Sequence, residues 1–159
     1  MSRMLSTTPI AKAVPRPEPA ARRVLIVEDN VDAARLLEIL LRTRAHAVSV
    51  AHDGRSALRL AREELPSVML IDIGLPDLSG YELARLIRAE ESLRSIRLIA
   101  LTGYGEAAAR AMTAACGFDH HLVKPLDRAE LERLLQHIAA PLPAPGAIFA
   151  PGVAVAGEA

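Results

Sequence analysis

The sequence predicts an α/β fold, a doubly wound five-stranded parallel sheet with helices on both faces. Five short apolar runs (VLIVE, AVSVA, SVMLID, IRLIALT and FDHHLV) alternate along the chain with segments of helical spacing. The runs are mostly apolar, as expected of strands covered on both faces, rather than strictly alternating apolar with polar. Right-handed crossovers between such strands leave a doubly wound sheet as the natural closure.

Each element has its own signal. VLIVE (24–28) is followed by Asp29 and Asn30, which are helix-capping residue types, and then by the helical pattern VDAARLLEILLRTR. After AVSVA (47–51), Asp53-Gly54 turns the chain into RSALRLAREEL, where Ala57, Leu58, Ala61 and Leu65 fall on one helical face. SVMLID runs into a Gly-Leu-Pro turn and the helix YELARLIRAEE. IRLIALT (96–102) leads to EAAARAMTAA, an Ala-rich helix with a shallow surface. FDHHLV leads to DRAELERLLQHIA. With aromatics at only 3% and no Trp, the core must be built from Leu, Ile, Val and Ala.

The totals bound the class. At 159 residues the chain has the size of one domain. Prolines cluster in residues 9–19 and 141–151, marking 1–21 and 141–159 as expected flexible tails around a folded unit of 22–140. Lys+Arg and Asp+Glu both number 19, so no basic excess points to nucleic acid. Cys116 is the only cysteine; an intramolecular disulfide is excluded, and the residue is expected to pack at the end of the fourth helix. No apolar run reaches membrane-spanning length, and no signal-peptide pattern opens the chain. A cytoplasmic location is the expectation, with no membrane partner. His46, His52 and His137 lack metal-ligand spacing and are expected to be exposed.

In open α/β sheets the functional crevice lies beyond the carboxyl ends of the strands. There the first strand ends in Glu28-Asp29, the third in Asp72, the fourth in Thr102 and the fifth in Lys124-Pro125. Taken singly, Asp29 reads as a helix cap, Thr102 as a strand-end hydroxyl and Lys124 as a solvated charge. Together they put three acids, a hydroxyl and an ammonium on one edge. Crowded carboxylates need a counter-charge, and a hard divalent cation with oxygen ligands, Mg²⁺ above all, supplies it. Such a pocket suits an incoming phosphoryl group, with Asp72 attacking phosphorus to become an aspartyl phosphate.

On VLIVEDN, LIDIGLPDLSGYEL, LIALTGYG and LVKP, in this order and spacing, residues 22–140 resemble the receiver domain of two-component response regulators. The resemblance implies a flavodoxin-like three-layer fold with strand order 2-1-3-4-5. It implies that Asp72 accepts phosphate from a sensor histidine kinase, possibly a hybrid one, or from a histidine phosphotransfer protein. Glu28 and Asp29 would hold Mg²⁺ together with Asp72 and the backbone carbonyl of Gly74. Thr102 would be the switch hydroxyl and Lys124 the partner of the phosphate, with its bond to Pro125 in cis. The fourth helix, fifth strand and fifth helix would form the face that binds a downstream protein.

Three positions depart from, or modulate, the family pattern. His121 stands where the family usually has the Tyr or Phe switch partner of the threonine, and a histidine there would add pH sensitivity. Gly74 offers no side chain to steer an attacking water, and Tyr104 is bulky enough to cover the acyl phosphate; both imply a long-lived phosphoryl state. The expected function is a stand-alone receiver in a phosphorelay, because the 19 residues after Ala140 are too few and too Pro-rich for an output domain. Two other readings stay open: a phosphate-independent scaffold, and an enzyme of the haloacid dehalogenase class. The latter needs a second Asp two residues after the nucleophile, where this chain has Gly74.

Overall fold

Successive side chains of a strand point to opposite faces of its sheet. A strand such as RVLIV therefore divides its apolar residues between two layers, which is the division found in the computed structural model of the chain. It describes residues 21–103, 105 and 107–138. Tyr104 lies outside the described residues, as do 139–159 and all of the expected N-terminal tail except Ala21.

The elements follow in strict alternation: β1 (Arg23–Val27), α1 (Val31–Arg42), β2 (Ala47–Ala51), α2 (Gly54–Glu64), β3 (Val68–Asp72), α3 (Gly80–Ala89), β4 (Arg97–Thr102), α4 (Ala107–Ala115), β5 (His120–Val123) and α5 (Arg128–His137). A short 3-10 turn, Glu91–Leu93, lies between α3 and β4. The strands are all parallel in the order β2-β1-β3-β4-β5, as the resemblance implied.

Two apolar layers sandwich the sheet. On one face Leu25, Val27, Met69, Ile71, Leu98 and Ala100 meet α2 and α3, and Cys116 and Phe118 close the layer beyond α4. On the other, Val24, Ile26, Val68, Leu70, Ile99 and Leu101 meet α1 and α5 through Leu37, Leu41, Leu131 and Leu135. Cys116 is buried at the end of α4, as expected. No described helix is long and apolar enough to cross a membrane.

The helices start where capping residues allow. Asn30 caps α1, Asp53 caps α2, Ser79 forms a capping box with Glu82 on α3, and Asp127 caps α5. Asn30, not Asp29, accepts the Ala33 amide, which leaves the Asp29 carboxylate available to the sheet edge.

Two expectations are corrected. Leu65 does not share the buried face of α2: it ends the helix in a left-handed conformation (φ 48°) and is exposed. The αL turn rotates the side chain off the helical face that Ala57 and Ala61 occupy. His46 is buried rather than exposed. Its Nδ1 accepts the Arg22 amide (3.3 Å), while the Arg22 guanidinium reaches the Ile138 carbonyl (2.9 Å) at the end of α5. These bonds tie the start of β1 to the α1–β2 turn and to the last turn of α5. His52 and His137 are exposed, as expected.

Burial, and next the positive charge of Arg22, hold the His46 imidazole below its ordinary value of 6.5. Near that pH the unfolded chain binds a proton that the folded chain refuses. His46 therefore contributes stability that is present above 6.5 and is lost as pH falls toward the lower folded value. Thermal melts should show a loss of Tm on acidification from about pH 8 to about pH 5. His46→Asn, which keeps an acceptor facing the Arg22 amide, should lose less over that range; an equal loss in the two proteins would refute the assignment.

Candidate functional site

The carboxyl ends of β1, β3, β4 and β5 converge as the sequence predicts. Glu28 follows directly on β1, and its amide bonds to Ala51 O (3.0 Å), which turns its side chain inward to 3% exposure. Glu28 Oε1 accepts the Asn30 amide at 3.2 Å. Asp72 closes β3 half-buried, and its Oδ1 accepts the Gly74 amide at 3.0 Å. Asp29 is exposed beside them, and the three carboxylates each present an oxygen within 4.8 Å of the others. Thr102 is buried at the end of β4, and its carbonyl accepts the Lys124 amide at 2.7 Å. Lys124–Pro125 is a cis peptide bond, as expected.

Lys124 Nζ lies 2.7 Å from Glu28 Oε2 and 3.2 Å from Asp72 Oδ2. A buried carboxylate at a strand end is costly unless its charge is met, and this ammonium meets two of them. Burial pushes the Glu28 carboxyl up; the Lys124 hydrogen bond opposes the shift without cancelling it, and Asp72 adds to it. Burial alone would pull Lys124 down, but its bond to Glu28 and the charge of Asp72 outweigh that and hold it above the usual lysine range. The lysine is thus firmly charged.

One ammonium against three carboxylates leaves two negative charges on the edge when all are ionised. The donors are all oxygens. Both facts fit a hard divalent cation of the Mg²⁺ type, held by Glu28, Asp29 and Asp72. Gly74 is adjacent, its amide on Asp72 and no side chain in the way, consistent with a carbonyl contribution from this turn.

His121 lies on β5, half-buried, with Nδ1 3.2 Å from Thr113 Oγ1 of α4. The Thr113 hydroxyl donates to the Arg110 carbonyl (2.9 Å), so the histidine nitrogen is the donor to it. Two residues near the site carried no signal in the sequence. The His52 ring donates from Nδ1 to the Glu28 carbonyl at 2.8 Å, and Asp77 accepts the Gly54 and Arg55 amides. Both are long-range contacts between connecting turns, which no local pattern announces.

The β3–α3 turn is sterically set. A Cβ on Gly80 would stand 2.7 Å from the Asp72 carbonyl oxygen and 2.8 Å from Ile73 Cα, both backbone atoms unable to yield locally. Gly80→Ala should therefore destabilise the chain by about 1–3 kcal/mol in urea unfolding. It should also shift the amide resonances of Asp72 and Gly74; an unchanged midpoint would show that the turn gives way freely.

Comparison with known proteins agrees with this fold. The family model of the response regulator receiver domain matches residues 24–136. A protein of Leptolyngbya boryana described as an uncharacterized 14.6 kDa protein in the sodA1 3' region is 34% identical over 113 residues, covering 71% of this chain and 86% of that protein. The chain spans 44% of another relative, "Probable transcriptional regulator ycf27" of Guillardia theta, at 34% identity over 73% of its own length. Among solved structures, the receiver domain of sensor histidine kinase PA1611 from Pseudomonas aeruginosa, with magnesium coordinated in its active-site cleft, superposes with TM-score 0.71. It is 36% identical, covering 77% of this chain and all of that one. The receiver domain of Ssk1 from Saccharomyces cerevisiae, crystallised with the histidine phosphotransfer protein Ypd1, gives a TM-score of 0.71 at 26% identity, covering 75% of this chain and 89% of that one.

Proposed function

The chain belongs to the response regulator receiver family, and on that premise we propose that it is a single-domain phosphoacceptor whose Asp72 takes a phosphoryl group from a phosphohistidine. The observation that carries the proposal is the Lys124 ammonium bridging Glu28 and Asp72, with the Asp29 carboxylate within reach. Asp72 is the one residue of that set which both lies at the centre of the sheet edge and is half-open to an incoming group.

The chemistry is a group transfer. An Asp72 carboxylate oxygen forms a bond to phosphorus while the phosphorus–nitrogen bond of the donor breaks, and the electron pair and then a proton go to the departing imidazole. Lys124, already charged, stands beside Asp72 to pair with the phosphoryl oxygens, exchanging part of its contact with the carboxylates for contact with the phosphate. Mg²⁺ bound by Glu28, Asp29, Asp72 and the Gly74 carbonyl would neutralise charge on the phosphoryl oxygens. Thr102, buried at the next strand end, is the hydroxyl assigned to the phosphoryl group once it arrives.

His121 takes the switch position on β5, and its bond to Thr113 is a contact through which α4 could respond. The face of α4, β5 and α5 is the proposed docking surface for a downstream protein. The donor in this reading is a sensor histidine kinase or a histidine phosphotransfer protein, the class of partner crystallised with the Ssk1 receiver. The match takes up 86% of the Leptolyngbya boryana relative and 44% of the Guillardia theta one, so relatives of both extents carry this domain. A cytoplasmic location and the absence of catalytic turnover on small phosphate esters belong to the same reading.

Incubation with acetyl phosphate and Mg²⁺ should add one phosphoryl group per chain by intact mass, and Asp72→Asn should abolish it. No adduct in the wild type would point to a phosphate-independent scaffold instead. Repeated turnover of a phosphomonoester would point to an enzyme. With Gly74 unable to steer a water, the adduct should outlast the timescale of seconds after removal of the donor, and replacing Tyr104 by a small residue should shorten its life. Decay of the wild-type adduct within seconds would reject the lifetime assignment while leaving the phosphoacceptor role intact.

A further inference from the structure

The first four amides of a helix have no partner within it. In α2 the amides of Gly54, Arg55 and Ser56 go to two aspartates from different connections. Ser56 N donates to Asp53 Oδ1 (2.7 Å), the usual work of a cap, and Ala57 N makes the first bond of the helix itself, to the Asp53 carbonyl (3.1 Å). The first two go elsewhere: Gly54 N donates to Asp77 Oδ1 (2.8 Å) and Arg55 N to Asp77 Oδ2 (3.1 Å), one amide to each oxygen of a carboxylate in the β3–α3 turn.

The approach is close. A Cβ on Gly54 would lie 2.7 Å from Leu78 Cβ and 3.1 Å from the Leu78 carbonyl, and Leu78 itself packs against the core of that face. The amide bonds, that of Gly54 foremost, hold the Asp77 carboxyl below the usual carboxylate range, so it remains an anion at the positive end of the helix. From this point the turn is continuous with the site: Gly80 abuts the Asp72 backbone, the Gly80 amide bonds to the Ile73 carbonyl, and the Gly74 amide bonds to Asp72 Oδ1. The same β2–α2 connection touches the other acidic loop through His52, whose ring donates to the Glu28 carbonyl. The start of α2 therefore braces both loops that carry the carboxylates.

We propose that Asp77 is a positioning residue for phosphoryl transfer: by clasping the first two amides of α2 it fixes the turn that carries Asp72 and Gly74, and with it the geometry offered to the metal. This rests on the receiver reading above. Asp77 touches neither the phosphoryl group nor the metal; it acts through the turn.

The test uses the full chain, labelled for amide NMR, as wild type, Asp77→Ala and Asp77→Asn. Titration with Mg²⁺ should show the dissociation constant raised about tenfold in Asp77→Ala, the scale on which outer-shell partners of a metal site act. Asp77→Asn, which keeps one acceptor oxygen, should fall between. Hydrogen exchange without metal should be faster at Gly74 in Asp77→Ala, with Leu98 and Ile99 of β4 unchanged, a pattern that general loss of stability would not produce. A Mg²⁺ affinity within about twofold of wild type, or exchange raised equally in β4, overturns the proposal. If the wild type itself shows no Mg²⁺-dependent shift, the phosphoacceptor reading falls. The clasp is then judged by exchange alone: faster exchange confined to the turn supports it, and unchanged exchange at Gly74 refutes it.

Discussion

The contact on which the site depends is the bridge from Lys124 Nζ to Glu28 at 2.7 Å and Asp72 at 3.2 Å. It joins the last strand of the sheet to the first and third, across 96 residues of chain. Without it a nearly fully buried glutamate and a half-buried aspartate would face each other with no positive charge between them. With it each of the two carboxylates has the ammonium within hydrogen-bond distance. Three carboxylates gathered around this one ammonium are the electrostatic argument for a divalent cation.

The parallel sheet makes that bridge geometrically possible at little cost to the core. All five strands point the same way, so their polar ends collect on one edge while Leu25, Ile26, Leu70, Ile71, Ile99 and Leu101 behind them stay buried on either face. Stability is concentrated in the two apolar layers, and at the opposite edge of the sheet in the ties among Arg22, His46 and Ile138. Among the described residues no buried side-chain nitrogen or oxygen lacks a partner. The charge-dense edge is therefore held together by hydrogen bonds it already satisfies, not by packing that a ligand would have to displace.

Much of this was legible before any coordinates. Apolar runs such as VLIV and VMLI mark strands buried on both faces, and a polar residue at the end of such a run marks the sheet edge. Glu28, Asp72, Thr102 and Lys124 were each readable on that ground. What escaped was set by contacts between segments distant in sequence. His46 looks like any surface histidine until the Arg22 amide is brought to its ring, and Leu65 fits the apolar face of α2 until the chain turns left-handed at that residue. Asp77 reads as an ordinary turn residue, since its partners, Gly54 and Arg55, lie more than twenty positions away. Local pattern reports what a residue can do with its neighbours, whereas these three are defined by residues the fold delivers.

The helices around the site are not anchored alike, and this bears on where a phosphorylation event would be felt. Helix α3 buries Gly80, Leu83, Ala84 and Ile87, and its Arg88 guanidinium binds the carbonyls of Arg94, Ile96 and Gly117 and the Asp119 carboxylate. Among the described residues of α4, Thr113 is the one that is buried, and Met112 stands exposed. An element with few buried contacts moves for little free energy, while one pinned by packing and four polar bonds does not. The His121 contact with Thr113 couples that weakly anchored helix to β5, whose backbone continues directly into Lys124. On the proposed phosphoacceptor role, a change in what Lys124 holds would be passed more cheaply toward α4 than toward α3, since the sheet edge there adjoins a loosely held helix.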